Sequence, residues 1–510
     1  MKKLFLLINI LGLLLVGCDD LLEIEDKDLV REDKNFSDQE ELTANYISIL
    51  GEIQEIAEDL VVLNDLRSNQ LTVTADANND LKSIEQLSYS QSNPYCDKTK
   101  YYSIVNNCNG VIYNAARLLK DSELADKEVI RAHYADALKL RTYVYFNIAK
   151  LFGSIEYYTI PISTLEEANN DKYKTHLEFD AAILQLISDL ITVDANLSID
   201  MDWFGKLELP KNMNYTTLKY DYLLGDLYLW AGDYAMAADH FFKFMNSDEK
   251  YVLPKDIYSG NKFNNIFKGG VNTSGENVTW IDYVEKYEQI YRFDEIFTKP
   301  EYVLQVTDEL VDDYEKEIPL LIINKGDEFR AKASYAKMAD GRYQVKKYNA
   351  FYFAFYRSVE AHLKFCEAKA MLGELDIAYI MLNSGINPDK GDVYYDENNG
   401  VFLKPFNSSW ITEFSDNHGV RGRVKLENHV YPEFDPETTP EQEIALKKQT
   451  LLQWIFDEYN LELSFEGKRY ETALRYALRE GDFEKYAGEL STANKDYTSK
   501  LAVKENWFIK

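Results

Sequence analysis

Apolar side chains recur along most of this chain at three- and four-residue spacing, the period that gathers them on one stripe of a helix. From about Asp38 to Asn64 the stripe is Leu42, Tyr46, Ile49, Ile53, Ile56 and Leu60. The same period predicts helices over 99–119, 127–151, 176–191, 215–230, 234–245, 358–372, 375–383, 440–464 and 470–477. Two windows also carry the small residues and the turn of a tetratricopeptide pair. In the first, Gly225 sits where a partner helix approaches, Gly232 turns the chain, and Ala237 and Phe241 follow on the second helix. The second window runs from Cys366-Glu367-Ala368 through Gly373 to Ala378 and Leu382, and Leu140 to Gly153 is a less complete third.

The helical period breaks twice, over 249–349 and 387–436, where Gly, Asn and aromatic residues punctuate the chain. The first stretch includes Tyr251, Phe263, Phe267, Trp280, Tyr283, Tyr287, Tyr291 and Phe293. Long irregular segments in a compact protein are usually functional or disordered, and aromatic content of this kind argues against disorder. The expected fold class is mostly α, with tetratricopeptide-type helical pairs as scaffold. It forms a single domain over 38–510, with the scaffold at 38–248 and 355–386 and C-terminal helices at 440–490. Loop-rich, ligand-binding insertions with short strands fill 249–354 and 387–439.

The N-terminus has a different logic. Lys2 and Lys3 precede an apolar run from Leu4 to Val16, the length of a signal-peptide core and too short to span a bilayer. It ends in Leu15-Val16-Gly17-Cys18, which looks like a lipobox. Residues 1–17 are therefore expected to be a lipoprotein signal peptide, Cys18 the lipidated residue, and 18–37 an acidic tether containing Asp19, Asp20, Glu23, Glu25, Asp26 and Asp28. Several acyl chains on Cys18 would anchor the protein stably, at ~0.8 kcal/mol per buried CH₂.

Composition narrows the chemistry. Acidic residues number 86 against 56 basic ones, a formal charge of −30, which sets aside nucleic acid as a partner. Tyrosine, at 38, outnumbers phenylalanine, at 26, so many rings carry a hydroxyl that needs water or a hydrogen-bond partner. Besides Cys18 only Cys96, Cys108 and Cys366 occur; Cys96 and Cys108 could pair, or Cys108 and Cys366 could be small apolar core residues. There is no Gly-rich phosphate loop, no Gly-x-Ser-x-Gly and no His-Glu-x-x-His, so no cofactor or metal is expected. Asp76 to Asp80 begins like a calcium loop, but Leu81 replaces the glycine that loop needs and Leu87 its bidentate acid. Carboxylate pairs such as Glu458 and Glu462 have the spacing a glycosidase could use, but with so many acids such pairs arise by chance.

Together the lipobox, tether, helical pairs and aromatic insertions resemble the SusD/RagB family of outer-membrane nutrient-binding lipoproteins. Tyr101 to Asn109 is similar to that family's "Y..I..aN" helix. Ala137 to Arg141 with Phe152, Gly153 and Pro161 resembles its "alRA..y..l...fG..P" segment, and Arg357 to Ala368 its "R..e.yL..AEA" helix. Glu458 to Tyr470 resembles "ER..EL.fEG.Ry", with Tyr459 in place of the leading Arg. The resemblance spans nearly the whole chain. It implies a non-catalytic receptor on the outer face of the outer membrane, where family members with acidic residues after the cysteine are exported. Such a receptor binds oligosaccharide, or peptide in some relatives, and covers a partner SusC/RagA-like TonB-dependent transporter.

The family's ligand contacts form no linear motif, so candidates come from chemistry. Aromatic faces stack on sugar C–H faces while Asn, Asp and Arg bind hydroxyls. Arg67 and Asn69 at a helix end, Asn93 and Tyr95 before the next helix, and Trp280 and Tyr283 in the central insertion are the expected ligand-binding residues. Arg357, Glu466 and Arg469 are expected to serve as structural ion pairs or caps.

Overall fold

The computed structural model describes residues 39–90, 92–120, 127–192, 206, 218–247, 251, 253, 262–268, 276–321, 324–385, 394–396, 401–403 and 417–510. The expected signal peptide, Cys18 and the tether lie outside them, as does much of the expected insertion at 387–439.

Helix α1 spans Gln39–Asp65 and buries the predicted stripe, from Leu42 to Leu60. Strand β1 (Leu71–Val73), the short helix α2 (Asn79–Glu85) and a 3-10 turn at Pro94–Cys96 lead to α3 (Lys98–Leu119) and α4 (Lys127–Phe152), which pack on α1 and on each other. Leu81 falls inside α2, whose N-cap is Asn78. Gly153, at φ +80, stops α4 against the Phe508 ring and the chain turns into strand β2 (Ser154–Tyr157), so the third predicted repeat is not a helix pair. A short helix α5 (Leu165–Ala168) precedes β3 (Thr175–Glu178), which pairs antiparallel with β2. The predicted helix at 176 therefore begins later, as α6 (Phe179–Ile191), because His176 is held across the hairpin by Glu156 at 2.7 Å.

The legible tetratricopeptide pair is α7 (Tyr220–Ala231) and α8 (Tyr234–Met245). A Cβ on Gly225 would lie 3.2 Å from the Phe241 ring, which is why a residue without a side chain stands there. After α9 (Lys262–Asn265) the insertion contributes β4 (Asn277–Asp282), β5 (Leu304–Val306), α10 (Asp308–Lys316), α11 (Glu328–Ser334), the hairpin β6 (Tyr335–Lys337) and β7 (Tyr343–Val345), and β8 (Tyr352–Arg357). β5 returns to β1 with Leu71 opposite Val306, and β8 pairs with β4 with Trp280 opposite Ala354. The second pair, α12 (Ser358–Met371) and α13 (Leu375–Leu382), packs against α8. Strands β9 (Tyr394–Asp396) and β10 (Val401–Leu403), then α14 (Pro440–Glu462), α15 (Arg469–Glu480) and α16 (Phe483–Glu489), complete the described elements.

One continuous apolar core joins the helices to the insertion. The insertion tyrosines Tyr251, Tyr283, Tyr291, Tyr314 and Tyr348 belong to it, and Tyr302 and Tyr352 are buried as well. Several of their hydroxyls donate to backbone carbonyls: Tyr291 to Tyr348, Tyr352 to Ile266 and Tyr314 to Leu461, in loops or at a helix end, and Tyr283 to Gln54 within α1. Irregular backbone inside a protein leaves such acceptors, and a ring with a terminal O–H supplies apolar bulk and donor together. Cys96, Cys108 and Cys366 are free and buried, so no Cys96–Cys108 bridge forms and Cys108 and Cys366 are core residues. No helix of the described residues is long and apolar enough to cross a membrane.

Beneath the insertion lies a network of buried charges. Arg357 reaches Glu276 at 2.9 Å, Glu462 at 3.1 Å and Glu466 at 2.7 Å. Arg423 binds Glu276 and lies 2.6 Å from Glu462; Arg330 binds Asp327 and lies 2.7 Å from Glu458. Arg421 bridges Glu458 and Glu317. Burial pushes Glu458 and Glu462 upward, but the surrounding guanidinium groups outweigh it and hold both carboxyls down at about 2. Removing one partner from such a cluster leaves the other charges buried and uncompensated. Glu462→Gln is therefore expected to lower the unfolding free energy by ~3–5 kcal/mol, read by urea denaturation, whereas a surface control, Glu441→Gln, should leave it nearly unchanged.

Candidate functional site

The middle of α1 is where the two predicted ligand-binding regions meet. Tyr283 follows β4 and donates its hydroxyl to the Gln54 carbonyl at 2.9 Å. Tyr95, in the 3-10 turn before α3, is half-buried; burial raises its phenol above the usual range and the nearby Glu58 and Asp59 charges add to the rise. Arg292 crosses to Glu58 at 2.9 Å, and Lys100 on α3 to Asp59 at 2.8 Å. Three chain segments thus converge on one helix turn. At its edge the Tyr283 and Tyr291 rings meet edge to face at 5.0 Å, and Phe351 lies 5.0 Å from Tyr291. Phe351 is 52% exposed and Ile290 70%, so a buried aromatic stack ends in an apolar surface facing water.

The loop from Thr74 to Asn78 and the start of α2 lie between the Asn93 turn and Tyr302. At one end the Asp80 carbonyl accepts from the Asn93 amide at 3.0 Å; at the other, Thr74 donates to the Tyr302 carbonyl at 2.8 Å. The Arg342 guanidinium covers the Tyr302 ring at 4.7 Å and is fixed by Asp340 at 2.8 Å. Beside Arg342 opens a cleft of about 570 Å³ lined by Thr72, Gln305, Asp308, Asp312, Tyr343 and Asn494, among others. The hairpin that delivers Arg342 turns through Asp340-Gly341, with Gly341 at φ +92.

The six sequence candidates fall into two groups. Arg67 is fully buried: its side chain donates to the Leu63 carbonyl and Tyr89 hydroxyl, and its guanidinium stacks 3.8 Å from the Tyr470 ring centre. Asn69 accepts from Arg469 at 3.0 Å. Asn93 caps the 3-10 turn through the Tyr95 N–H and ties it to Asp80 and Ser83. Tyr283 is buried as well. These four side chains are committed to the interior. Tyr95 and Trp280 are partly exposed, but Trp280 lies out on β4 and is not brought against Tyr95. Phe351, Arg292, Glu58 and the cleft residues are absent from the sequence candidates. Of them, only Asp340-Gly341 had a readable signal, a hairpin turn.

Glu458 and Glu462, the pair a glycosidase would need, are sealed in the ionic network. Among the described residues no group of three or more His, Cys, Asp or Glu side chains is placed to hold a metal ion.

Residues 409–507 match the model of the SusD family. No curated protein matches the chain. Among solved structures, a SusD superfamily protein from Bacteroides vulgatus superposes with a TM-score of 0.65 at 13% identity, over 93% of this chain and 95% of that one. Surface glycan-binding protein A from Bacteroides uniformis gives 0.60 at 14% identity, over 92% and 96%. The Bacteroides thetaiotaomicron surface glycan-binding protein A, in complex with laminarihexaose, gives 0.58 at 14% identity, over 92% and 95%. The fold is thus mostly helical and SusD-like, and the match to the SusD family model covers its C-terminal part.

Burial raises the Glu58 carboxyl to about 7, with Asp59 adding to the rise and Arg292 opposing it. Its folded value lies above its unfolded one, so its contribution to stability is complete below about pH 4.3 and is lost as pH climbs toward 7. Glu58→Gln removes that dependence. The melting temperature of the variant relative to the parent should rise between pH 5 and about pH 7 and then level off; a difference independent of pH would refute the assignment.

Proposed function

We propose that this protein is a non-catalytic receptor on the outer face of the outer membrane that binds oligosaccharide on the face running from Phe351 to the Arg342 cleft. It hands the ligand to a SusC-type TonB-dependent transporter. The observation that carries the reading is the ending of a buried aromatic stack in a water-facing ring, Phe351, beside fixed charged and amide groups on a SusD fold. Sugar recognition needs an apolar plate for the C–H face of the ring and preorganised polar groups for the hydroxyls, and here both are held by the core. The laminarihexaose complex of a structural relative supports the ligand class. The Lys2-Lys3 leader, the apolar run and Cys18 support anchoring by lipid. An anchor of that kind would keep the receptor beside its transporter and so raise the effective concentration of each for the other.

Three measurements test this. Calorimetric titration of the purified chain with neutral oligosaccharides, laminarihexaose among them, should show binding, and Phe351→Ala should weaken it roughly tenfold while leaving the melting temperature nearly unchanged. Binding of a peptide pool, with none of the sugars, would replace the glycan reading by a peptide receptor. In cells, Cys18→Ala should move the protein out of the membrane fraction, and protease added to intact cells should remove the parent protein; a protected product would refute the surface location.

A further inference from the structure

We infer that Arg342 is the specificity-determining residue of the cleft and that it grips a pair of acceptor oxygens held side by side on the ligand, an inference that rests on the glycan-binding reading above. On a saccharide such a pair is supplied by free hydroxyls on adjacent ring carbons or by the carboxylate of a uronic acid. A guanidinium meets paired oxygens through two parallel N–H bonds, which the single ammonium of a lysine cannot do.

What singles out Arg342 is which of its nitrogens is spent. Its Nε donates to one Asp340 carboxylate oxygen at 2.8 Å, and its backbone N–H donates to the other at 3.0 Å. Both Nη groups are left without a partner among the described residues, so the end of the fork is whole. The side chain is 33% exposed and lines the cleft. Arg292 differs, because its bond to Glu58 at 2.9 Å uses an Nη group and occupies that end of the fork. Lys100 has no fork to offer.

The ring behind Arg342 is an independent sign of the same role. Tyr302 is 2% exposed, yet it belongs to neither apolar cluster of the described residues. Its hydroxyl is buried without a hydrogen-bond partner among them, although a buried tyrosine usually finds one. What its ring does meet is the Arg342 guanidinium, at 4.7 Å. A large side chain is thus placed under the hairpin with little to gain for the core, and the group it backs is the arginine. Asp340 holds the guanidinium by its Nε edge and Tyr302 supports it across its face, so the free edge is oriented before a ligand arrives. Asp340 and Tyr302 are positioning residues, and Arg342 makes the contact.

The test titrates the purified chain with glucose hexasaccharides that differ in their oxygen pairs. In cellohexaose and maltohexaose, linked through C4, each internal residue keeps free hydroxyls on C2 and C3. In laminarihexaose, linked through C3, that pair is blocked in every residue but the terminal one, and oxidation at C6 to uronates supplies carboxylates instead. Arg342→Lys keeps the charge and loses the fork. It should weaken one pair-bearing class, the C4-linked sugars or the oxidised laminarihexaose, roughly tenfold, and unoxidised laminarihexaose much less; the class that responds tells a hydroxyl pair from a carboxylate. Tyr302→Leu should show the same selective loss and Tyr302→Phe should not, whereas a general loss of structure would weaken every sugar alike. An effect of Arg342→Lys that is absent, or equal across the classes, overturns the assignment and leaves the glycan reading standing. Binding confined to unoxidised laminarihexaose does the same. Failure of every sugar to bind overturns both.

Discussion

The buried charges beneath the insertion are the constraint on which the rest of the arrangement depends. Glu276 and Arg357 flank the paired strands β4 and β8, Arg421 and Arg423 come from the segment after Asn417, and Glu458, Glu462 and Glu466 from the end of α14 and the turn beyond it. An isolated pair of this kind can cost as much in desolvation as it returns, so the network does not act as simple glue. It acts as a specification. Each guanidinium has several fixed acceptors, and any slip of the insertion against α14 would strand charges in a dry interior. The strands that deliver Tyr283 and Phe351 to α1 are thereby held in one register relative to the helices.

The turn after α14 extends the same logic to α1. Gly467, at φ +72, brings its backbone so close to α1 that a Cβ would lie 3.1 Å from the Leu60 carbonyl. Its N–H and that of Arg469 are received by Asp65, whose carboxyl burial raises to about 7 despite those two bonds. Glu466 on one side pairs with Arg357 and Lys347; Arg469 on the other binds Asn69. Phe465-Glu466-Gly467-Lys468-Arg469 is a clamp of three unlike parts: a pairing acid, a residue without a side chain and a capped arginine.

The helical framework was legible because burial on one face imposes a period, and Leu42 to Leu60 obey it. Gly225 and Gly232 were legible for a related reason: close helix approach and a left-handed turn tolerate few other residues. The expected structural roles of Arg357 and Glu466 were readable from their motif. The face itself was not. Arg67, Asn69, Asn93 and Tyr283 have the chemistry of ligand contacts, yet that chemistry is equally what irregular backbone requires of its own neighbours, and only the fold distinguishes the two uses. Phe351 sits within Phe351-Tyr352-Phe353, and nothing local marks which ring turns outward. The tyrosine excess has the same explanation: in the insertion the rings fill the core, and several of their hydroxyls donate to backbone carbonyls.

That allocation bears on how the face could work. A ring that recognises sugar while free to swing loses part of its binding energy in being ordered. Phe351 is backed by Tyr291, which is backed by Tyr283, whose hydroxyl is fixed on α1. The tyrosines that serve the interior are therefore also what make the exposed ring rigid. Arg292 and Arg342 are likewise oriented before any ligand arrives, by Glu58 and Asp340. Each arginine spends one guanidinium N–H on that carboxylate and keeps the others. A face organised in this way holds directional donors for hydroxyls beside a ring that is already in place.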